Sequence, residues 1–332
     1  MNKKINNNIV LIYRSSKNKR YSIETLFSSL DEFKNIFRVE LPAELNSVSN
    51  FFRLVFFSFK IKQKRIHITG DVHYMSILLF WKKIIITIHD LNHYESLNGY
   101  KKNIYGFIWF SLPMRIAKKI VAISPYTKFQ IQKHFNISEK KIIVIPNSFK
   151  KFNSQLSFVK KDTLDFKILC IGNAENKNIE RLIYAIEGID NITLRLIGKQ
   201  PIKILQLLKI KRINFSETHN LNREELELEY KSSNVLYFAS IKEGFGLPIL
   251  EAQSLGLPVI TSNTTAMPYV AGDGAIIVDP YSIESIRESI LLIIENKIDI
   301  ELLKEKGFRN IEKFSESNFS ESYINLYNTI LE

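Results

Sequence analysis

Short runs of β-branched and apolar residues recur along the chain, and longer stretches with helical periodicity separate them. In the first half these runs are Ile9–Tyr13, Ile66–Ile68, Ile84–Ile88, Ile120–Ile123 and Ile142–Ile145. After residue 160 the rhythm begins again, at Phe166–Ile171, Ile192–Ile197, Ile213–Phe215, Val235–Phe238, Val259–Ile260 and Ile276–Val278. Strands that alternate with helices form parallel sheets covered on both faces. The pattern therefore predicts an α/β protein with two Rossmann-like halves.

The two halves are separated by a polar segment, residues 147–163, that has no strong apolar periodicity. We predict one domain over residues 1–155, a second over 156–312, and a C-terminal helix over 313–332. Ligands of open parallel sheets bind beyond the carboxyl ends of the strands, so two such sheets that face each other form a cleft. We expect one ligand to bind mainly to the second domain and the other to the first.

The charge of the chain is divided unevenly between the halves. Residues 1–150 hold 25 Lys and Arg against 9 Asp and Glu, whereas residues 151–332 hold 21 against 25. The first half therefore carries +16 and the second −4, which together give the net charge of +12. A basic half indicates an anionic partner, either nucleic acid or an anionic membrane. No zinc-finger, RRM or KH pattern is present, so we predict that nucleic acid is not the partner.

One segment of the basic half combines aromatic and cationic residues. Residues 51–65 hold five phenylalanines and five cations, with the cations concentrated at the C-terminal end. This composition suits a helix that lies in the headgroup layer of an anionic membrane. The alternative is that some of the phenylalanines belong to the core and that the cations form a solvated face.

The cysteine content and the distribution of apolar residues indicate the cellular compartment. A single cysteine, Cys170, excludes an internal disulfide framework, and its apolar neighbours predict an inert buried thiol. The N-terminus does not have the pattern of a secretory signal, and no run approaches the ~20 apolar residues that span a bilayer. We therefore expect a cytoplasmic protein, held peripherally on the inner face of the membrane.

Two carboxylates flank a glycine-rich turn in the second half. Glu243 begins the run EGFGLPILEA, Glu251 is its ninth residue, and Pro248 stands where the first turn of a helix tolerates proline. The run follows a short strand, so we expect the amides of Gly246 and Leu247 to point from a helix N-terminus at an anion. We expect Glu251, in the first turn, to accept hydrogen bonds from a sugar diol. Phosphate together with hydroxyl groups describes a nucleotide sugar.

This spacing resembles the E-x7-E motif of the retaining glycosyltransferases of family 4. Residues 240–262 match the family pattern almost position by position, and three more segments match in the expected order. These segments are residues 87–91, residues 122–125 with 145–147, and residues 169–179. The resemblance implies the GT-B fold, in which two Rossmann-like domains face each other across a cleft, and it implies a C-terminal helix that crosses back to the first domain.

The resemblance also implies roles for particular residues around the donor. Glu251 is expected to hold the ribose hydroxyls, and Glu243 to contact the transferred sugar beside the amides of Phe245, Gly246 and Leu247. Ser240 is expected to support this loop, and residues 215–221 to lie near the base.

Three further positions complete the predicted site. Lys177, in the loop that begins with Gly172 and Asn173, is expected to bind the diphosphate. His89, at the end of a strand in the first half, is expected to contact the donor sugar and the reaction centre. Relatives often carry an arginine where this chain has Asn173, and a glycine pair within the segment that here is residues 13–20, which contains no glycine.

These inferences predict a retaining glycosyltransferase that moves a sugar from a nucleotide diphosphate donor to a glycan or lipid-linked acceptor. Assembly of a bacterial surface polysaccharide is the expected setting. No metal or other cofactor is expected, because the remaining histidines show no metal-ligand spacing. The alternative from another class is a catalytically inactive GT-B subunit at the membrane that partners an active transferase. A nucleotide-sugar epimerase of the same fold is disfavoured by the motif from Glu243 to Glu251.

Overall fold

A computed structural model describes residues 8–15, 25–152 and 165–330 of the chain. The chain divides into two compact units, one made of residues 1–148 and 314–332 and the other of residues 149–313. In the described residues, each unit contains one six-stranded sheet in which all neighbouring strands are parallel. The predicted α/β class with two Rossmann-like halves is confirmed.

The sheet of the first unit has the strand order β2-β1-β3-β4-β5-β6. Its strands are β1 Ile9–Tyr13, β2 Ile36–Glu40, β3 Arg65–Ile68, β4 Lys83–Ile88, β5 Lys119–Ala122 and β6 Ile142–Val144. Five of them coincide with the β-branched runs of the sequence to within one residue. The sixth, β2, was not predicted, because it lies at the edge of the sheet and its residues IFRVE are mostly exposed.

The helices of the first unit follow the parallel-sheet pattern. They are α1 Val48–Lys60, α2 Met75–Leu78, α3 Asn92–Ser96, α4 Gly99–Tyr105, α5 Leu112–Ile116, α6 Pro125–His134 and, at the C-terminus, α14 Glu316–Ile330. A π-helical segment, Gly106–Ser111, joins α4 to α5. In addition, 3₁₀ turns occur at Phe27–Leu30 and Glu139–Lys141.

Strand β1 is buried on both faces of the sheet, which explains why its sequence is apolar. Val10 and Ile12 belong to the core that includes Leu54 of α1, whereas Ile9 and Leu11 belong to a second core on the other face of the sheet. A strand buried on both faces has no solvent side and therefore no polar alternation.

The C-terminal helix α14 covers that second face. Its side chains Phe319, Tyr323, Leu326 and Tyr327 are buried there with the residues of β1. The hydroxyl groups of Tyr323 and Tyr327 reach the polar centre of the sheet. Tyr323 Oη lies 3.0 Å from Thr87 Oγ1, and Tyr327 Oη lies 2.7 Å from Nδ1 of His67.

The second unit repeats the architecture with the strand order β12-β11-β10-β7-β8-β9. Its strands are β7 Phe166–Ile171, β8 Ile192–Ile197, β9 Asn214–Thr218, β10 Val235–Phe238, β11 Val259–Ser262 and β12 Ile276–Val278. Its helices are α7 Ile179–Ile186, α8 Ile202–Ile210, α9 Arg223–Ser232, α10 Leu247–Ser254, α11 Met267–Ala271, α12 Ile283–Ile294 and α13 Ile300–Ile311, with 3₁₀ turns at Glu175–Lys177 and Glu312–Phe314. Strand β9 extends three residues beyond the prediction, because its polar edge residues carry no apolar signal.

The segment 51–65 is only partly helical, which corrects the prediction of a single surface helix. Ser47 caps α1 by accepting a hydrogen bond from the amide of Asn50, and the helix ends at Lys60. Residues 61–64 form a loop and Arg65 begins β3, so three of the five cations lie beyond the helix. Phe57 packs against the core, whereas the other four phenylalanines are exposed.

Two observations bear on predictions made above. Within the described ranges, no helix is long and apolar enough to cross a membrane. Cys170 is fully buried, and burial raises the pKa of its thiol, as expected of an inert core residue. Residues 16–20 of the glycine-free segment and residues 153–163 of the polar boundary lie outside the described residues.

Candidate active site

The loop after β7 is shaped around the stem of Lys177. Gly172 directly follows the strand and has φ +104°, a backbone conformation that residues with a side chain rarely adopt. A Cβ atom at this position would lie 2.5 Å from Cε of Lys177, so glycine leaves the space that the lysine occupies. Asn173 is exposed, and its Nδ2 donates to the carbonyl of Lys199, 2.9 Å away. Asn173 thus joins the loop after β7 to the loop after β8.

Lys177 and Glu243, which the motifs singled out independently, form an ion pair. Lys177 Nζ lies 2.5 Å from Oε1 of Glu243, and it also lies 4.3 Å from the centroid of the Phe238 ring. Both charged side chains are mostly buried, with 18% and 19% of their surface exposed. A cation held in this environment keeps much of its electrostatic effect, because water screens it weakly.

Two asparagines beside Lys177 tie its loop to neighbouring loops, and Asn176 ties it to the loop of Glu243. Asn176 Nδ2 donates to Oε1 of Glu243 at 3.0 Å and to the carbonyl of Lys242 at 2.7 Å. Asn178 is buried with φ +62°, and its Nδ2 donates to the carbonyl of Pro280 at 2.7 Å. The sequence motifs assign a role only to the lysine between them.

The glycine-rich turn leads into α10 as the sequence predicts. Gly246 is the N-cap with φ +114°, Leu247 is the first helical residue, and Pro248 lies in the first turn. A Cβ atom at Gly246 would lie 2.8 Å from Cε of Met267, so the turn also packs tightly on α11. Phe245 is buried beneath it.

Glu251 lies one turn further along α10 than expected. No acidic residue occupies the first turn, because the helix begins at Leu247 and Glu251 is its fifth residue. Its Oε2 accepts a hydrogen bond of 2.7 Å from the hydroxyl of Tyr230 on α9. Burial raises the pKa of the Glu251 carboxyl, while the hydrogen bond from Tyr230 and the charge of Arg223 oppose that rise.

Ser240, at the end of β10, is fully buried and supports the turn through its backbone. Its carbonyl accepts a hydrogen bond of 2.6 Å from the hydroxyl of Ser262 on β11. Its own Oγ has no hydrogen-bond partner among the described residues.

His89 belongs to the first unit, at the end of β4. Its Nε2 lies 2.7 Å from the carbonyl of Thr69, and a carbonyl only accepts, so Nε2 carries the proton and donates. In the neutral ring Nδ1 is then the acceptor. Asp90 orients the following turn, since its Oδ1 accepts a hydrogen bond of 2.8 Å from the amide of Asn92.

A cavity of about 680 Å³ adjoins the loop of Lys177 in the second unit. It is lined by the loop after β7, including Asn173, and by the first turns of α7 and α8. Across the parts of the chain that the structure describes, no three His, Cys, Asp or Glu side chains come close enough to hold a metal ion.

The comparisons with known families cover nearly all of the chain. Residues 9–149 match the family model described as Glycosyltransferase Family 4, and residues 152–310 match the one described as Glycosyl transferases group 1. The chain belongs to glycosyltransferase family 4. The resemblance seen in the E-x7-E motif is thereby confirmed.

Among curated proteins, this family 4 chain is similar to two O-antigen mannosyltransferases. It is 33% identical to O-antigen chain mannosyltransferase B of Escherichia coli over 104 residues, which are 31% of this chain and 27% of that protein. It is 27% identical to O-antigen chain mannosyltransferase RfbU of Salmonella typhimurium over 205 residues, 59% of this chain and 56% of that protein. The chain thus spans about half or less of the length of these relatives.

Solved structures confirm the GT-B fold of this family 4 chain. A glycosyltransferase from Rickettsia africae superimposes with a TM-score of 0.77 at 15% identity, covering 98% of this chain and 99% of that one. HepE of Anabaena, in complex with UDP and glucose, superimposes with a TM-score of 0.75 at 12% identity, covering 97% and 99%.

Proposed function

We propose that this protein transfers a sugar from a nucleotide diphosphate donor to a glycan or lipid-linked acceptor during synthesis of a bacterial surface polysaccharide. The observation that carries the proposal is the pairing of Lys177 with Glu243 in one buried site beside the turn that begins α10. Membership of family 4 supports it, as do the O-antigen mannosyltransferases to which the chain is similar.

The geometry suggests how the two halves of the donor are recognised. Departure of the diphosphate builds negative charge, which Lys177 and the amides at the start of α10 can stabilise. The carboxylates of Glu243 and Glu251 repel a phosphate and therefore do not bind it. Their oxygens instead accept hydrogen bonds from sugar and ribose hydroxyls. Asn176 donates to Glu243, and Glu243 in turn pairs with Lys177, so these side chains hold one another in place before a ligand binds.

We further propose that transfer proceeds with retention of configuration at the anomeric carbon and without a metal or other cofactor. The bond from the anomeric carbon to the diphosphate oxygen breaks, and a bond to an acceptor hydroxyl oxygen forms on the same face. We assign no nucleophile among the side chains. His89, whose Nδ1 is the acceptor in the neutral ring, is proposed to contact the donor sugar.

An anionic membrane is the proposed surface at which the protein works, on the cytoplasmic side. The aromatic patch, by which we mean Phe52, Phe56, Phe59, Phe80 and Trp81, supports this. Phe56, Phe59 and Phe80 are exposed by 69%, 70% and 66%, and the ring of Phe59 stacks on Trp81 with centroids 5.6 Å apart. Such exposed aromatic groups beside cations favour insertion at the headgroup level of a bilayer.

Cations adjoin the patch in the chain and favour an anionic surface over a neutral one. Lys60 ends α1, and Lys62 and Lys64 follow in the next loop. Lys82 stabilises the fold instead, because its ammonium donates hydrogen bonds to the carbonyls of Ile61 at 2.6 Å and Gln63 at 2.8 Å. These two bonds hold the basic loop against the patch.

The test of the proposed activity is a release assay with UDP-, GDP- and ADP-sugars on the wild type and on Glu243→Gln. We expect the wild type to release nucleoside diphosphate from one donor and the variant to release far less. NMR of the sugar product then reads the anomeric configuration. Binding without any release from any donor, with or without membrane lipid extract as the acceptor source, contradicts the activity and supports an inactive subunit.

A further inference from the structure

Tyr230 lies behind Glu251, and neither the motif nor the family pattern drew attention to it. Its side chain is fully buried on α9, and its hydroxyl lies 2.7 Å from Oε2 of Glu251. Burial raises the pKa of this phenol well above its ordinary value, so the hydroxyl keeps its proton and donates it. No other hydrogen bond reaches the Glu251 carboxylate within the described residues, which leaves Oε1 available.

The surroundings of Tyr230 fix its hydroxyl in place. The ring packs on Phe152 with centroids 5.7 Å apart, and the guanidinium of Arg223 covers the same phenylalanine at 4.5 Å. The helix that carries Tyr230 is anchored by a capping box, in which Asn222 Oδ1 accepts from the amide of Glu225 and the Glu225 carboxylate accepts from the amide of Asn222. The donor to Glu251 is therefore rigid.

We propose that Tyr230 is a positioning residue that turns the Glu251 carboxylate so that Oε1 faces the ribose hydroxyls of the donor. This inference rests on the proposed function, in which Glu251 binds the ribose. A free carboxylate can rotate about its terminal bond, whereas one whose Oε2 is held by a buried donor presents Oε1 in a single direction. Tyr230 thus acts on the ligand only through Glu251.

The test measures how Tyr230→Phe changes affinity for a nucleotide with and without its ribose hydroxyls. The probes are the tightest binder among UDP, GDP and ADP and the 2′,3′-dideoxy form of that same nucleotide, titrated calorimetrically. Tyr230→Phe removes the hydrogen bond to the charged Glu251 carboxylate, so the affinity for the intact nucleotide falls about five- to tenfold. Affinity for the dideoxy nucleotide stays within about twofold. Tyr281→Phe, at an exposed tyrosine of the same unit that does not line the cavity, is the control and leaves both affinities unchanged.

Each outcome decides between a positioning role and a merely structural one. An equal loss of affinity for both nucleotides, or no loss for either, overturns the proposal. Tyr230→Phe could lower the melting temperature so far that titration fails. In that case Tyr230→Met, which also lacks the hydroxyl and carries a flexible apolar side chain, replaces Tyr230→Phe in the same comparison.

Failure of the proposed function appears separately in the wild type. If wild-type protein binds the intact and dideoxy nucleotides equally, or binds no nucleotide, then Glu251 does not hold the ribose and both proposals fall. If the wild type prefers the intact nucleotide by several fold, Glu251→Gln reduces that preference, and Tyr230→Phe leaves it unaltered, the ribose site stands and only the role of Tyr230 is rejected.

Discussion

The ammonium of Lys177 and the carboxylate of Glu243 lie 2.5 Å apart, although 66 residues separate them in the chain. The motifs assign the lysine to the diphosphate and the glutamate to the transferred sugar. A bound diphosphate and the Glu243 carboxylate are both anions within reach of one ammonium group, so they share its charge. Binding the donor and placing the sugar are therefore coupled through this pair, and the two residues are expected to respond differently to substitution.

Glu243→Gln is expected to separate binding from turnover. The amide keeps the shape of the side chain but loses its charge, which weakens hydrogen bonds to the sugar in the transition state. We expect kcat to fall about 10- to 100-fold, the loss of roughly 1.5–3 kcal/mol for a hydrogen bond to a charged group. Affinity for nucleoside diphosphate stays the same or rises slightly, because Lys177 no longer shares its charge. Turnover and calorimetric titration check this, with Glu301→Gln, at an exposed glutamate of the same unit, as the control. Unchanged turnover contradicts the role of Glu243.

Lys177→Ala is expected to act on the diphosphate alone. Removal of the ammonium costs a charge-assisted contact, so affinity for nucleoside diphosphate falls about 10- to 100-fold, while affinity for the nucleoside without phosphates hardly changes. Titration of both ligands makes the comparison. Lys297→Ala removes an exposed lysine paired with Glu295 in the same unit, away from the cavity, and serves as the control. Equal losses for nucleoside and nucleoside diphosphate speak against a phosphate contact.

Membrane binding is expected to depend on both charge and aromatic surface. Changing Lys60, Lys62 and Lys64 to Ser removes about 1 kcal/mol per cation near an anionic surface, so partitioning to phosphatidylglycerol vesicles falls about 100-fold. Changing Phe56 and Phe59 to Ser also weakens partitioning, on neutral as well as anionic vesicles. Phe129→Ser alters an exposed phenylalanine outside the aromatic patch and is the control. Vesicle sedimentation measures all three, and full retention of the lysine variant rejects the membrane surface.

The first unit is expected to lose stability as the pH falls below about 6.5. Burial lowers the pKa of His67 to about 3 and also lowers the pKa of His73. Both folded values lie below the unfolded value of about 6.5, so the unfolded chain binds more protons below that pH and stability falls as the pH falls. For His67 the loss runs from pH 6.5 to about pH 3, at up to about 1.4 kcal/mol per pH unit.

Denaturation followed by tryptophan fluorescence tests this dependence, because Trp81 and Trp109 both lie in the first unit. His67→Gln is expected to be less stable at pH 7.5 and to lose less stability between pH 6.5 and pH 5. An acid dependence as steep as that of the wild type contradicts the assignment to His67.

Sequence reasoning located the strands that are buried on both faces, because they have to be apolar throughout. It missed β2, an edge strand whose solvent-facing residues such as Arg38 carry no such signal. The same limit applies to the site. The motif named Glu251, but helix boundaries depend on where the backbone turns at Gly246, and this placed Glu251 beyond the first turn. Tyr230 and Arg223 act on Glu251 only through tertiary packing, which no local pattern encodes.

Binding of a nucleotide diphosphate through Lys177 is the central claim. A thermal-shift screen of wild type and Lys177→Ala against UDP, GDP, ADP and their common sugar conjugates measures it, since a ligand of the folded state raises the melting temperature. We predict a clear shift of the wild type with one nucleotide family and a much smaller shift of the variant. No shift of folded wild-type protein with any nucleotide, or equal shifts of the two proteins, would contradict the account.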